Sequence, residues 1–399
     1  MSAATGRHDG RLRLAAAPLG SRAGLALVAS LLASSALAQS AWNVNGAGDW
    51  AVGANWSPVG VPGVATAVTI ANGGEAQITA AGAGAAGIAI GGAAGQSGTL
   101  TITAGGTLAS GAPTTSVIGG LGSGIVHVSR LGSDWTLDGD LAIGQGAGSS
   151  GTLAVDMGAT VELKGDTGLG VAAGASGTLS IDGSGSIVVS GGTLTVGDAG
   201  SGTLTVSSSG ELDAADIVAG ALAGGSGAIG VTGLDSLLAT SGTLTLGNAG
   251  TATLRIEAAG QAETAAAVLG GAAGGSGTAT VTGEGSKWTV DGPFTIGDQG
   301  SGAITVEAGG ALLSAAATAG KAADSDGTIR ITGAGSSWTS SGRVVLGDAG
   351  TAALTVEAGA GADLAALTLG GAATGSGTAD VTGATSTLAV TGALVVGDA

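Results

Sequence analysis

The sequence predicts an all-β fold, a right-handed parallel β-helix that forms a three-sheet solenoid with three strands in each coil of about 25 residues. Three observations predict it. A motif reading S-G-T, or a variant of it, recurs at nearly constant spacing, and the units between its copies hold short segments of alternating apolar and small polar residues. The chain is also rich in Gly, with 84, and has no Cys. Alternation with period two over four or five residues is typical of strands.

The repeat can be anchored on the Gly of this motif. Successive anchors are separated by 26, 27 and 26 residues and then eight times by 25, and two types of unit alternate to give a 50-residue super-repeat. One type is seen in residues 201–220 and the other in residues 276–300. A period this constant indicates a solenoid, because each coil buries its apolar side only by stacking on its neighbours. The anchors are Gly98, Gly124, Gly151, Gly177, Gly202, Gly227, Ala252, Gly277, Gly302, Gly327, Ala352 and Gly377.

Stacked coils predict columns of equivalent side chains. In residues 201–220 the alternation turns Leu204 and Val206 inward and Thr205 outward. Neighbouring coils lie about 4.8 Å apart, so twelve coils extend roughly 55–60 Å, and each buried Leu or Ile contributes about 1.5–3 kcal/mol. A left-handed hexapeptide helix and a calcium-binding β-roll are excluded, because neither repeat occurs. One predicted inner column contains Leu204, Ile229, Leu254, Ala279, Ile304, Ile329, Leu354 and Ala379.

Residues 1–38 are predicted to be a secretory signal peptide. Four Arg residues precede the apolar run 23–33, and Ala36 and Ala38 suit cleavage before Gln39. The run is too short to span a bilayer, which disfavours the alternative of a membrane anchor. The remaining chain has seven basic and 27 acidic residues, a net charge of −20. Such a charge opposes binding to nucleic acid or anionic lipid, and without Cys an exported chain must gain its rigidity from packing.

Residues 39–90 are predicted to form a Trp-rich N-terminal cap and an irregular first coil. Trp42, Trp50 and Trp56 could cover the open end of a solenoid, and the alternative is a platform on which carbohydrate stacks. Val68 and Ile70 match Leu204 and Val206 in spacing, which predicts a first coil beginning near residue 67. Residues 91–399 are predicted as β-helix repeats, truncated at the C-terminus because the sequence stops inside a turn.

Two ladders of residues are candidate binding features. An Asx residue recurs every 50 residues. These side chains could form a column of calcium sites, or each could close a tight turn by bonding the backbone. The second interpretation is favoured because equivalents on alternate coils lie about 9–10 Å apart, too far to share an ion. Trp135, Trp288 and Trp338 share a column with Val188, Leu238 and Leu388, which favours core packing over a row for stacking glycans. The Asx residues are Asp198, Asn248, Asp298, Asp348 and Asp398.

Candidates for catalysis are few. His127 is the one His outside the signal peptide; Asp134 lies seven residues on, and we expect an isolated exposed His rather than a Ser-His-Asp arrangement. Paired acids for polysaccharide cleavage would have to come from Asp134, Asp138 and Asp140. The sequence therefore predicts a protein that is not an enzyme, without catalytic, cofactor-binding or metal-binding residues.

Three motifs resemble the repeat associated with type V secretion (autotransporter) and PEP-CTERM proteins. They are G-S-G-T-L-T-V at 200–206, V-T-G-x-G-S-x-W at 281–288 and L-x-V-G-D-x-G at 194–200. The similarity covers roughly residues 91–399, and the spacing of Trp42, Trp50 and Trp56 resembles the start of many autotransporter passengers.

This resemblance implies a secreted β-helical passenger, displayed on the surface of a Gram-negative cell by a C-terminal translocator barrel expected beyond the given sequence. Such a passenger would act as a structural stalk or adhesin-like module at the cell surface, anchored at the outer membrane. Expected partners are surface glycans or further copies of the chain, without cofactors. The alternatives are a polysaccharide-active enzyme, of lyase or glycosidase type, on the same fold, and a self-associating biofilm component.

Overall fold

A computed structural model describes residues 37–111 and 115–397 of the 399-residue chain. Within these ranges the regular structure is β-strand, apart from one 3-10 turn at Gly53–Asn55. The predicted signal peptide falls almost entirely outside the described residues, and so does Asp398. The strands form two sheets, parallel apart from the antiparallel pair of Ala38–Trp42 with Trp56–Ser57, so the fold is the predicted parallel β-solenoid. Two sheets stand where three were predicted, because the second and third segments of each coil belong to one hydrogen-bonded sheet. The right-handed sense of the solenoid stays a prediction.

The first sheet contains the segment that begins at each S-G-T motif. Every strand pairs in parallel with the equivalent strand of the next coil, and the register from Glu75 to Thr382 runs without a shift. Its 14 strands among the described residues are Ala47–Asp49, Glu75–Ile78, Ser97–Ile102, Ser123–Ser129, Ser150–Asp156, Ser176–Asp182, Ser201–Ser207, Ser226–Thr232, Thr251–Glu257, Ser276–Thr282, Ser301–Glu307, Asp326–Thr332, Thr351–Glu357 and Ser376–Thr382.

The second sheet contains the other two segments of each coil. In the early coils they are separate strands: Ala38–Trp42, Trp56–Ser57, Thr66–Ile70, Ala83–Ala85, Gly87–Ile90, Thr107–Ser110, Ser116–Ile118, Asp134–Leu137, Leu141–Ile143, Thr160–Leu163 and Thr167–Leu169. From residue 187 they join into one bent strand per coil, and they separate again at the end: Ile187–Val196, Glu211–Ala219, Leu237–Leu246, Gln261–Leu269, Lys287–Ile296, Ala311–Ala319, Ser337–Leu346, Gly361–Leu369, Thr387–Val390 and Leu394–Val396.

The predicted inner columns are confirmed by the strand register. Leu204 lies beside Ile229, which lies beside Leu254, and the column continues coil by coil to Ala379. Leu204 and Val206 are buried while Thr205 between them is partly exposed. The core is thus a set of aliphatic rows along the axis, and each coil is stabilised mainly by the two that flank it.

The prediction for the first coil is wrong in its alignment. Val68 and Ile70 pair with Ile88 and Ile90 in the second sheet, whereas Ala76 and Ile78 pair with Leu100 and Ile102 in the first. The reason is that all three segments of a coil show the same period-two alternation, so alternation alone does not identify the sheet to which a segment belongs.

A buried Ser explains why the repeat spans two coils rather than one. On alternate coils this Ser lies just before the second segment and its Oγ accepts a hydrogen bond from a backbone N–H in the turn of the preceding coil, as Ser236 does from Ser209 at 3.0 Å. Ser236 Oγ also donates to the carbonyl oxygen of Thr232 at 2.8 Å. We call these residues the clamp serines, all of them buried except the partly exposed Ser386: Ser133, Ser186, Ser236, Ser286, Ser336 and Ser386.

The intervening coils carry Gly or Ala at the same place. A Cβ on Gly210 would lie 2.8 Å from the carbonyl oxygen of Ile181, and one on Gly260 would lie 2.6 Å from that of Val231. At these two Gly positions any side chain would require the neighbouring backbone to shift, whereas Ala159 and Ala360 carry a Cβ at the same place on other coils. The two unit types thus differ at this position: one carries a clamp serine, and the other supplies the backbone N–H that the serine accepts.

Candidate functional site

The outer face of the first sheet carries a column of hydroxyl groups along the axis. The residue before each anchor is a Ser or Thr on every coil from Ser97 to Ser376 except for Asp326, and these side chains are exposed or partly exposed. Some of them contact each other across coils, as Ser150 Oγ does in donating to Ser123 Oγ at 3.0 Å. Such a column offers many repeated polar contacts along the axis.

Two carboxylates on the same face are paired with Arg. Arg255 Nε lies 2.6 Å from Glu257 Oε2, and Arg330 of one coil pairs with Glu357 of the next. Glu257, Glu307 and Glu357 alternate with Thr282 and Thr332 along their column, so these carboxylates do not lie on adjacent coils. Each pair is largely exposed and contributes little to stability.

His127 lies on this face as predicted, but it is not isolated. Its Nε2 atom lies 2.8 Å from Asp156 Oδ2 on the next coil, and no contact joins it to Asp134 among the described residues. Sequence reasoning missed Asp156 because the two residues lie 29 positions apart. The register would have found the neighbourhood, since His127 pairs with Ala154, two residues before Asp156. The residue beside His127 on the preceding coil is Thr101, whose hydroxyl donates to Glu75 Oε1 at 2.8 Å.

The three acids considered for glycan cleavage take part in separate structural contacts. Asp138 Oδ1 lies 2.8 Å from Lys164 Nζ, and Asp140 Oδ1 accepts the backbone N–H of Asp166 at 3.0 Å. Asp134 accepts a hydrogen bond from Thr136 Oγ1 at 3.3 Å, and burial, with a smaller contribution from the charge of Glu162, raises its pKa. Asp138 raises the pKa of Lys164 through their hydrogen bond.

The Asx ladder behaves as part of the turns. Asn248 Nδ2 donates to the carbonyl oxygen of Ala221 on the preceding coil at 3.2 Å, and Asp298 pairs with Lys321 at 2.8 Å. Burial raises the pKa of Asp198. Within the described ranges, no three His, Cys, Asp or Glu side chains come together as a metal site would require.

All six Trp side chains are buried. The column prediction is confirmed for Trp135, Trp288 and Trp338, whose Nε1–H groups donate to Ser110, Thr264 and Ser314 on the preceding coils at 2.8, 3.2 and 3.1 Å. A glycan-stacking row is therefore wrong for this column, since no ring face is exposed.

The N-terminal Trp residues form an edge-to-face cluster. Trp56 lies with its ring centroid 4.9 Å from that of Trp42 and 4.7 Å from that of Trp50, and all three are at most 3% exposed. Rings packed in this way are not available as a carbohydrate platform. The assignment of residues 39–90 as a cap stays a prediction.

The second sheet carries a cavity on its outer side. A groove of about 560 Å³ lies at the bend between the two parts of the joined strands and is lined by five of them, from Ile187–Val196 to Lys287–Ile296. Its walls include Asp213, Glu263 and Asp291, and Thr240 is among the buried residues that line it. A smaller cavity of about 250 Å³ shares Asp291 and continues along the same bend to Ser341. We call the two together the bend groove.

Comparison with known proteins adds little. No protein-family model matches the chain, and no curated protein matches it. Among solved structures, the crystal structure of a TibA fragment hyper-glycosylated by TibC aligns at a TM-score of 0.31 with 17% identity, covering 88% of this chain and 99% of that one. An alignment at that TM-score supports no conclusion about the fold or function of this chain. In the part of the chain that the structure describes, no helix is long and apolar enough to cross a bilayer.

Proposed function

We propose that this protein is a secreted, surface-displayed passenger of the type V secretion kind that acts as a stalk or adhesin-like module and not as an enzyme. The observation that carries the proposal is the unshifted register of the first sheet across its 14 strands. At about 4.8 Å per strand this gives a rod roughly 60 Å long. A rod of this kind holds what lies at its end away from the surface that carries it.

The chemistry of the surface supports a role in binding rather than catalysis. The hydroxyl column and the exposed ion pairs offer repeated polar contacts along the rod, which suits weak, multivalent binding to surface glycans or to further copies of the chain. The net charge of −20 for residues 39–399 disfavours nucleic acid as a partner. The sequence motifs and the leader-like residues 1–38 support export.

Protease access on intact cells tests display. In cells that produce the protein, added proteinase K should degrade it while a periplasmic marker stays intact, and removal of residues 1–38 should keep the chain inside and protected. A wild-type chain that remains protected on intact cells would contradict surface display.

The enzyme alternative has its own test. Purified protein is incubated with acidic and neutral polysaccharides, and Asp134, Asp138 and Asp140 are each replaced by Asn. We expect no turnover by any of the four proteins. Turnover that is lost in one variant would replace the proposed function with a catalytic one.

A further inference from the structure

We propose that Asn45 is a site of spontaneous deamidation, at which the backbone nitrogen of Gly46 attacks the side-chain amide and ammonia leaves. The sequence has two Asn-Gly pairs, Asn45-Gly46 and Asn72-Gly73. A Gly after Asn favours this reaction, because without a Cβ it neither blocks the attack nor restricts the backbone. The sequence gives the two pairs the same chemistry, and the structure distinguishes them.

The backbone nitrogen of Gly46 is accessible for the attack. Its N–H group makes no hydrogen bond to another described residue. Asn45 and Gly46 are both exposed, and a Cβ placed on Gly46 would meet no atom within 4 Å. Water therefore reaches the amide proton that must leave, and the bend has room for the ring that forms.

The corresponding atoms at Asn72 are held by hydrogen bonds. The N–H of Gly73 donates to the carbonyl oxygen of Ser97 at 2.8 Å. The side chain of Asn72 accepts from the N–H of Gly74 through Oδ1 at 3.1 Å and donates through Nδ2 to the carbonyl oxygen of Val44 at 3.0 Å. Ring closure at Asn72 would have to break these bonds first, so the folded structure protects it.

Asn72 also contacts the reacting group of Asn45. Asn72 Nδ2 donates a hydrogen bond to Asn45 Oδ1 at 3.4 Å. Negative charge develops on this oxygen as the nitrogen of Gly46 bonds to Cγ, and a donor directed at the oxygen stabilises that charge. The protected Asn-Gly pair therefore assists the reaction of the accessible one.

The reaction needs water alone as a co-reactant. Hydroxide takes the amide proton of Gly46, and the nitrogen lone pair forms a bond to Cγ of Asn45. The bond from Cγ to Nδ2 then breaks, and Nδ2 takes up a proton from water and leaves as ammonia. Water next opens the cyclic imide at one of its carbonyl carbons, which gives aspartate or isoaspartate.

Isoaspartate at position 45 would disturb the first strand of the first sheet. It places an additional carbon atom in the backbone just before Ala47–Asp49, which pairs in parallel with Glu75–Ile78 over three residues. The carbonyl oxygen of Gly46 accepts the N–H of Glu75 at 2.9 Å, which adds to this pairing. In protein aged to contain isoaspartate we expect faster hydrogen exchange in residues 46–50 and unchanged exchange in later coils. Unchanged exchange in residues 46–50 would overturn this consequence.

Ageing of the purified protein in neutral buffer tests the proposal. After peptic digestion, fragmentation mass spectrometry measures the conversion of each Asn with time. In the folded protein we expect Asn45 to convert about tenfold or more faster than Asn72, and in urea the two rates should agree within about twofold. Equal rates in the folded protein, or faster conversion at Asn72, would overturn the proposal. Neither result bears on surface display, which is measured on intact cells.

Variants identify the atoms that react. Gly46→Ala should slow conversion of Asn45 about tenfold or more without lowering the melting temperature, since its Cβ would lie in open space. Asn72→Asp removes the Nδ2 donor and keeps an acceptor for Gly74, so it should slow Asn45 about two- to threefold. The control Asn43→Asp adds the same charge nearby and should change the rate less. An unchanged rate in Gly46→Ala would overturn the proposal, and equal rates in the two Asp variants would overturn the role of Asn72.

Discussion

The two sheets of the solenoid are built from the same number of coils but follow different rules. The first sheet pairs residue to residue along its whole length, with an inner column of Leu, Ile and Ala. The second sheet shifts register at the bend on each step from residue 190 onward, because the bend holds two residues in one coil, Gly191 and Gly192, and one in the next, Ala215. The first sheet thus keeps a constant register from coil to coil, whereas the second sheet accommodates the changing number of residues at the bend.

The difference also determines where polar groups can lie. At the bend the inner positions include Ser190, Thr240 and Thr264, which are buried, and Asp213 and Glu263 line the bend groove beside them. The first sheet buries only apolar side chains along its equivalent columns. A solenoid of this kind therefore keeps strict stacking on one side and gains a concave surface on the other.

A one-residue insertion should separate the two sheets most clearly. A Gly inserted after Thr205 turns Val206 from the core to solvent, and we expect it to cost more than about 4 kcal/mol in the free energy of unfolding. A Gly inserted after Ala215 only converts a one-residue bend into the two-residue form of the neighbouring coils, and should cost less than about 1 kcal/mol. Urea unfolding of both variants measures the difference. Similar losses would contradict the comparison.

In the second sheet, large aromatic side chains pack against Ala residues of the neighbouring coils, which is a further difference in packing from the first sheet. Trp288 lies beside Ala262, and Phe294, in edge contact with Trp288 at 5.2 Å, lies between Ala267 and Ala317. Trp288→Ala should lower the free energy of unfolding by about 3–5 kcal/mol, since it leaves a cavity and removes a partner of Thr264. Chemical denaturation checks it, with Leu313→Ala, which is exposed, as a control expected to cost little.

The clamp serines join the turns that lead from one sheet to the other. Ser236→Ala leaves the backbone N–H of Ser209 without its acceptor and should cost about 1–3 kcal/mol. Ser226→Ala, on the exposed hydroxyl column, should cost less than about 0.5 kcal/mol. A thermal melt of each variant measures the shift, and equal melting temperatures for the two would count against the clamp.

Replacement of Asp198 is expected to change the stability least, and the size of this change should depend on pH. Burial raises its pKa, so ionisation of this carboxyl disfavours the folded state, and the loss of stability sets in as the pH rises above the usual carboxyl range. Asp198→Asn imitates Asn248 and should raise the melting temperature slightly at neutral pH but not in acid, where Asp198 is protonated. A gain of the same size at both pH values would show another cause.

Much of this architecture follows from sequence periodicity alone. The inner columns and the burial of Trp135, Trp288 and Trp338 could be predicted because a constant period aligns equivalent residues, and interchange with aliphatic residues signals the core. Contacts between side chains on different coils could not be predicted from the period. The pair of His127 with Asp156 depends on the offset between two outward columns.

The clamp serines also limit how such a chain can change its length over evolution. Each clamp serine accepts a hydrogen bond from the turn of a preceding coil that carries Gly or Ala in place of the serine. Loss or gain of a single coil would place two coils of the same type together, whereas duplication or deletion of 50 residues keeps the alternation. The unit by which this solenoid can lengthen or shorten is therefore a pair of coils.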